Sequence, residues 1–345
     1  MPSADPAPPI PRNSNGIPPF SALPLRTGDP FFSAWGLYGS HDELGTLNRL
    51  TPTRVLAAAA QEIRTGARVS TDAPLTVHTS ADKAYFARAA FHQELIHKAP
   101  RIVNDDIWTF NTQGSSQWDG LRHYGYQKEE RFYNGATLED FHGPGFKPGN
   151  RTKDPGSERL GIQAMAEQGI VGRGILLDFH SWRLAQNPPV PYDPFKRDSI
   201  TLEQLQAVIE AQGTVVKFGD ILFIRSGFLV AQNEKSEEEL TTVKDNIPHS
   251  FGGVEQSEGV LRWLWENFSA VAGDQPSFEC WPSKESYAMH EVILAGWGMP
   301  IGELFDLEKV ADQCKKENRW SFFFTSKVCN VPGGVASPPN GLALF

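Results

Sequence analysis

The sequence predicts an α/β fold, a mixed sheet with flanking helices, and three observations predict it. Two short apolar tracts with glycine at their ends, GRGILLDF (172–179) and ILFIRSGF (221–228), read as buried strands. Helical patterns accompany them. A capping box of Thr201 and Gln204 opens 202–212, and Leu261, Leu264, Trp265 and Phe268 share one face of 256–268. Strands and helices mix without a strict βα alternation, which favours a mixed sheet over a doubly wound one.

Taken in chain order, residues 1–22 are proline-rich and read as an N-terminal arm, leaving a single domain over 23–345. Thr51-Pro52 is a helix start, a hydroxyl N-cap with proline in the first turn, and Gly66 fits its stop. Residues 67–80 alternate toward strand through Val69, Leu75 and Val77, and Ile102 to Phe110 is a further strand. The tract 134–158, rich in Gly, Pro and charge, reads as a long surface loop. A short helix over 159–168 ends at Gly169. Val271 to Asp274 is a short strand, and another helix begins near Ser286. The end, SFFFTSKVCNVPGG (321–334), gives one or two strands and then a Pro/Gly-rich tail.

The bulk numbers exclude several classes. Among 345 residues, 40% are hydrophobic, including 22 Phe and 9 Trp, enough for a substantial core. A net charge of −9 leaves no footprint for nucleic acid or anionic membranes. No apolar run reaches the roughly 18 residues that span a bilayer. Three cysteines without close pairing argue against a disulfide framework or a Cys-rich zinc module. The N-terminus lacks the apolar stretch of a signal peptide, so the expected compartment is cytoplasmic.

Two clusters carry chemistry. The first is Gln113-Gly-Ser-Ser-Gln117-Trp-Asp119-Gly-Leu-Arg-His123. On extended backbone Gln113, Ser115, Gln117 and Asp119 would project to one face, with His123 at the same parity. Such a row suits a cation or a general acid–base pair; Asp119 capping a turn through Gly120 is the structural alternative. In the second cluster His290 opens an apolar helical turn, and Glu303 follows Gly-Met-Pro-Ile-Gly. The pair reads equally as a helix-end histidine with a surface glutamate, or as a buried carboxylate that needs a partner.

Together these stretches resemble the cyclase/kynurenine formamidase-like family, whose motif is His-x-Gly-Thr-His-x-Asp-x-Pro-x-His. Its aspartate falls at Asp119 and its last histidine at His123. Gln113 and Gln117 stand at the first two histidine positions, Ser115 and Ser116 at Gly-Thr, and Leu121 at the proline. His290 and Glu303 match the later histidine–glutamate signature, and DELGTLNRLT (42–51), GIVGRGILLDF, GDILFIRSGF and GMPIGELFDLE extend the likeness over most of the chain.

The resemblance implies a swivelling β/β/α fold, a homodimer or higher homo-oligomer, and one or two zinc or manganese ions that hydrolyse amide or lactam C–N bonds in a small molecule. It implies Asp119, His290 and Glu303 as metal ligands, with Gln117 and Gln113 beside them. In the family the first two motif histidines and the aspartate hold one metal, and the aspartate, later histidine and glutamate hold the other. An amide oxygen is a weaker zinc ligand than imidazole, so the likeness supports the site of Asp119, His290 and Glu303 over that of Gln113, Gln117 and Asp119. His123 becomes the general acid/base with Asp119 and Gln117, and Gln113, Ser116 or the metal stabilises an oxyanion. Trp118 and Trp281 are candidates to stack on an aromatic substrate, core packing being the commoner use of tryptophan. A lyase, isomerase or cyclase with weak or no metal, or a silent small-molecule-binding homologue, remain alternatives.

Overall fold

The computed structural model describes residues 12–79, 83–153 and 156–345. Nine strands form one mixed sheet: β1 (Arg68–Ser70), β2 (Gln117–Asp119), β3 (Ile170–Leu177), β4 (Asp220–Ile224), β5 (Phe268–Gly273), β6 (Ile301–Glu303), β7 (Ser321–Ser326), β8 (Ala336–Ser337) and β9 (Gly341–Leu344). Their spatial order is β1-β9-β7-β3-β4-β5-β6-β2-β8. The centre, β3 to β6, is parallel, and antiparallel strands close both sides.

The central strands are apolar because both of their faces are covered. Ile175, Leu177, Leu222 and Ile224 meet one cluster, which the helices Leu202–Gln212 and Glu258–Asn267 complete through Leu205, Val208, Leu261, Leu264 and Trp265. Leu176, Ile221 and Phe223 face the other, completed by Met165, Val310 and Cys314 of the helices Gln163–Gln168 and Glu308–Glu317. Each such side chain, fully buried, contributes roughly 1.5–3 kcal/mol. No helix among the described residues is long and apolar enough to cross a membrane.

Local signals set the helix ends. Thr201 accepts from Gln204 N while the Gln204 side chain accepts from Thr201 N, so the helix spans 202–212 as its capping box dictates. Thr51 caps Pro52–Glu62, but that helix stops at Ile63, before Gly66.

Several expectations are corrected. Of the 67–80 tract, whose last residue lies outside the described residues, 68–70 is a strand and 75–78 is a turn. Asn104–Thr109 is a strand, but it pairs with His92–His97 in a separate, largely exposed hairpin. The loop 134–158 contains a helical turn, Leu138–His142, with a capping box from Thr137 and Asp140. In the Pro/Gly-rich C-terminal tail β8 and β9 return to the sheet, with Pro332, Gly333, Gly334, Pro338 and Pro339 in the connections. Residues 1–11 of the proposed arm lie outside the described residues, whereas Ile17 and Phe20 are buried in the helix-covered core.

Candidate active site

Sheet register builds the polar centre. β2 and β6 are antiparallel neighbours, with Glu303 opposite Gln117 and Ile301 opposite Asp119. Side chains alternate along a strand, so Gln117, Asp119 and Glu303 share one face while Trp118 takes the other. Gly302 lies opposite Trp118; a Cβ there would stand 2.7 Å from both the Ala272 Cβ and the Phe305 ring. The close packing on that side holds β6 in place.

His290 comes from a third element. It lies at the start of a helical segment, after Met289, and the residues that follow, Glu291–Gly296, are π-helical, an arrangement frequent at functional sites. Its Nε2 lies 3.1 Å from Glu303 Oε1 and 3.7 Å from Asp119 Oδ2. One ligand-type atom from each of Asp119, His290 and Glu303 lies within 4.8 Å of the others, and all three residues are buried. On the ring's other side, Nδ1 is 2.6 Å from Glu279 Oε1. Glu279 also accepts from His290 N, Met289 N and the Gln256 amide. A carboxylate there fixes the Nδ1–H tautomer and turns Nε2 toward Asp119 and Glu303.

The two glutamines are tied to the carboxylates. Gln113 Nε2 donates to Asp119 Oδ1 at 2.5 Å, and Gln117 Nε2 donates to Glu303 Oε2 at 2.9 Å and to Gln113 Oε1 at 3.2 Å. Gln113 thus has both ends of its amide hydrogen-bonded inside the protein. It also sits in a turn rather than on an extended run, so the expected row of alternating side chains begins only at Gln117.

Electrostatics follow from burial. Desolvation pushes the Glu303 carboxyl upward and the Asp119 charge adds to this, so its pKa is raised. Burial would raise Asp119 too, but His123, His290 and Gln113 outweigh it and lower the pKa. Burial opposes charging His290, yet the neighbouring carboxylates of Asp119, Glu279 and Glu303 raise it well above the ordinary imidazole value. His123 goes the other way: burial lowers it, and Asp119 pulls back only in part.

A cavity of about 290 Å3 opens onto this centre, lined by Phe86, Arg88, His123, Tyr124, Pro276, Ser277, Trp281, His290 and Glu303. His123 Nε2 lies 3.9 Å from Asp119 Oδ2, too far for a direct hydrogen bond. A larger concavity, about 510 Å3, holds Glu62 between Arg173 and Arg319 and has neither His nor Cys in its lining.

Of the residues expected from sequence, Gln117, Asp119, His123, His290 and Glu303 converge, and Trp281 lines the same cavity. Trp118 does not: it is fully buried among Phe305 and Phe324 and donates Nε1 to Ser326 Oγ, the core role its strand parity dictates. Ser116 does not either, because its hydroxyl is spent between Ala73 N and Leu304 O. Sequence reasoning missed Glu279, Arg88, Phe86 and Tyr124. For Glu279 a signal existed, a glutamate between Phe278 and Cys280, since buried Glu is rare without a partner.

The residues fit a divalent cation. Asp119 Oδ2 and Gln117 Oε1 are buried acceptors without a hydrogen-bond partner, an arrangement costing about 1–3 kcal/mol per group if left so. The donor set, two carboxylates and an imidazole, is of the kind that divalent ions take, and the Arg88 guanidinium acts on Asp119 and Glu303 through charge alone.

Fold and site together define an α/β protein with a cavity over a buried Asp–His–Glu cluster. The family described as "Putative cyclase" matches residues 72–280, and the chain belongs to it. A crystal structure of a novel cyclase shares 26% identity at a TM-score of 0.75, over 91% of this chain and 99% of that one. Isatin hydrolase A from Ralstonia solanacearum shares 15% identity at a TM-score of 0.53, over 85% and 97% of the two chains. An isatin hydrolase bound to the product analogue thioisatinate shares 10% at a TM-score of 0.54, over 86% and 99%. Comparison with curated proteins gave no match. The swivelling β/β/α cyclase fold implied by the sequence resemblance is thus the fold of this chain.

Proposed function

We propose that this protein is a hydrolase that opens an amide, lactam or lactone bond in a small aromatic molecule, with Asp119, His290 and Glu303 holding a zinc or manganese ion. The observation that carries this reading is the convergence of three ligand-type atoms within 4.8 Å, beside a carboxylate oxygen that has no donor. Such an ion supplies Lewis acidity toward water and a carbonyl oxygen.

The chain's own groups do the rest. His123, kept neutral by burial, takes the proton of the attacking water and returns it to the leaving nitrogen or oxygen. The 3.9 Å gap between His123 Nε2 and Asp119 Oδ2 leaves these two groups free to bind the same water. Gln117 Oε1, unpartnered, accepts a hydrogen bond from that water. Phe86, Tyr124 and Trp281 flank the substrate ring and exclude solvent. Glu279 holds the His290 tautomer.

A second reading, proton transfer without metal in a lyase, isomerase or cyclase, draws on the glutamines: their N–H groups already donate to one oxygen each of Asp119 and Glu303. One experiment separates the two. Purified protein is assayed against N-acyl anilines, isatin and aryl lactones before and after EDTA treatment. The hydrolase reading expects turnover that EDTA removes and zinc or manganese restores, and a roughly 10²–10⁴-fold lower kcat in His123→Ala. Turnover that survives chelation unchanged refutes the metal and keeps only the metal-free proton transfer of the second reading. A protein that binds these molecules but turns over none is a silent homologue.

A further inference from the structure

Among the described residues Arg88 is the one guanidinium in the lining of the active-site cavity, and its placement is unusual. It sits on a small hairpin, Lys83–Ala84 paired with Arg88–Ala89, whose turn is Tyr85–Ala87. Two consecutive non-glycine residues of that turn are left-handed, Phe86 at φ 59° and Ala87 at φ 55°. Such backbone costs roughly 1–3 kcal/mol per residue and persists where the surroundings hold it, often at ligand sites. The strain is spent on presenting Phe86 and Arg88 to the cavity.

The guanidinium is only partly used. Nη1 donates to Gln113 O at 2.9 Å, and the Phe86 ring covers one face at 4.8 Å. Nε and Nη2 have no hydrogen-bond partner among the described residues, and Asp119 and Glu303 act on the group through charge without a direct bond. What remains is the side edge of the fork, two parallel N–H donors, the geometry that matches a carboxylate in bidentate fashion. Phe86, Tyr124 and Trp281 stand around it. A cavity of about 290 Å3 is at the small end of the roughly 300–1,000 Å3 usual for ligand sites, sized for one or two rings.

We infer that Arg88 sets substrate specificity by binding a carboxylate on the aromatic substrate, so that the protein prefers aryl acids to their neutral analogues. The inference rests on the cavity assigned above as the substrate site but not on hydrolysis taking place there.

Calorimetric titration of the full chain with benzoate and with benzamide tests it, in wild type, Arg88→Gln and Arg88→Lys. Wild type is expected to bind benzoate more tightly than benzamide. Arg88→Gln should weaken benzoate about tenfold to a hundredfold while benzamide changes less than twofold. Arg88→Lys keeps the charge but not the fork, and should lose several-fold on benzoate alone; it serves if the glutamine variant does not fold. Equal losses for both ligands mean that Arg88 only supports the site and overturn the inference, as does a wild type that fails to bind benzoate or prefers benzamide. Repeating the titrations in EDTA separates this from the metal reading. A preference that vanishes on chelation but ignores Arg88→Gln belongs to the ion and overturns the inference with the hydrolase reading intact. A preference that survives chelation, in a protein without hydrolytic turnover, upholds Arg88 and refutes the hydrolase.

Discussion

Replacing Glu279 by glutamine isolates the group that aims His290. The carboxylate accepts four hydrogen bonds: from His290 Nδ1 at 2.6 Å, His290 N at 2.9 Å, Met289 N at 2.7 Å and Gln256 Nε2 at 2.8 Å. It is fully buried, so no water can substitute for it. Whichever way the new amide turns, its NH2 faces two donors, and the His290 imidazole loses its charged partner. Breaking a buried ion pair from one side costs about 3–5 kcal/mol. With a urea m value near 3 kcal/mol/M, suited to a chain of this size, the unfolding midpoint falls by about 1 M or more. The freed imidazole also rotates and loses its fixed tautomer, so zinc or manganese affinity should fall about 10–100-fold. Urea denaturation followed by tryptophan fluorescence reads the first effect, and metal titration reads the second. A Glu279→Gln protein with an unchanged midpoint and unchanged metal affinity would refute the role assigned to this carboxylate.

Two further outcomes are expected. Glu62, buried at the far concavity, accepts from Arg173, Arg319 and Ser321; Glu62→Ala should lower stability by about 3–5 kcal/mol while kcat/KM stays unchanged, as steady-state kinetics beside urea denaturation will tell. His78 is fully buried against Gln232 and its pKa is pushed down by burial to about 4. Above pH 6.5 it is neutral folded and unfolded; below that the unfolded chain binds the proton and the folded one resists until about pH 4. The stability of wild type relative to His78→Gln should therefore decline by about 1.4 kcal/mol per pH unit from 6.5 to 4, approaching 3 kcal/mol in total, and a difference that stays flat across that window would contradict it.

Much of the site was legible because it follows local periodicity. The parity that pairs Gln117 with Asp119 is a property of any strand, and the same parity assigns Trp118 to the opposite face, against the stacking role its ring chemistry suggested. Glu303 was marked by an apolar setting in which a carboxylate needs a partner. Glu279 obeys the same reasoning between Phe278 and Cys280. Arg88 carried no such mark, since an arginine beside Phe86 and Ala87 reads as surface until the left-handed turn directs it inward. Gln113 and Ser116 belong to turns whose hydrogen bonds run to Asp119, Ala73 and Leu304, partners that no spacing rule supplies.

By itself the sequence determined the pieces whose causes lie within a few residues: the capping box at Thr201, the apolar central strands, and a polar cluster too dense to be core. The tertiary structure alone decided what those pieces meet. Gln117 and Glu303 are 186 residues apart and become neighbours only because β2 pairs antiparallel with β6 at one register. His290 completes the cluster from a helix whose orientation Glu279 fixes. Backbone hydrogen bonds between strands are chemically the same at every register. The choice among registers is made by the packing of side chains such as Trp118 against Phe305, which exists only once the chain has folded.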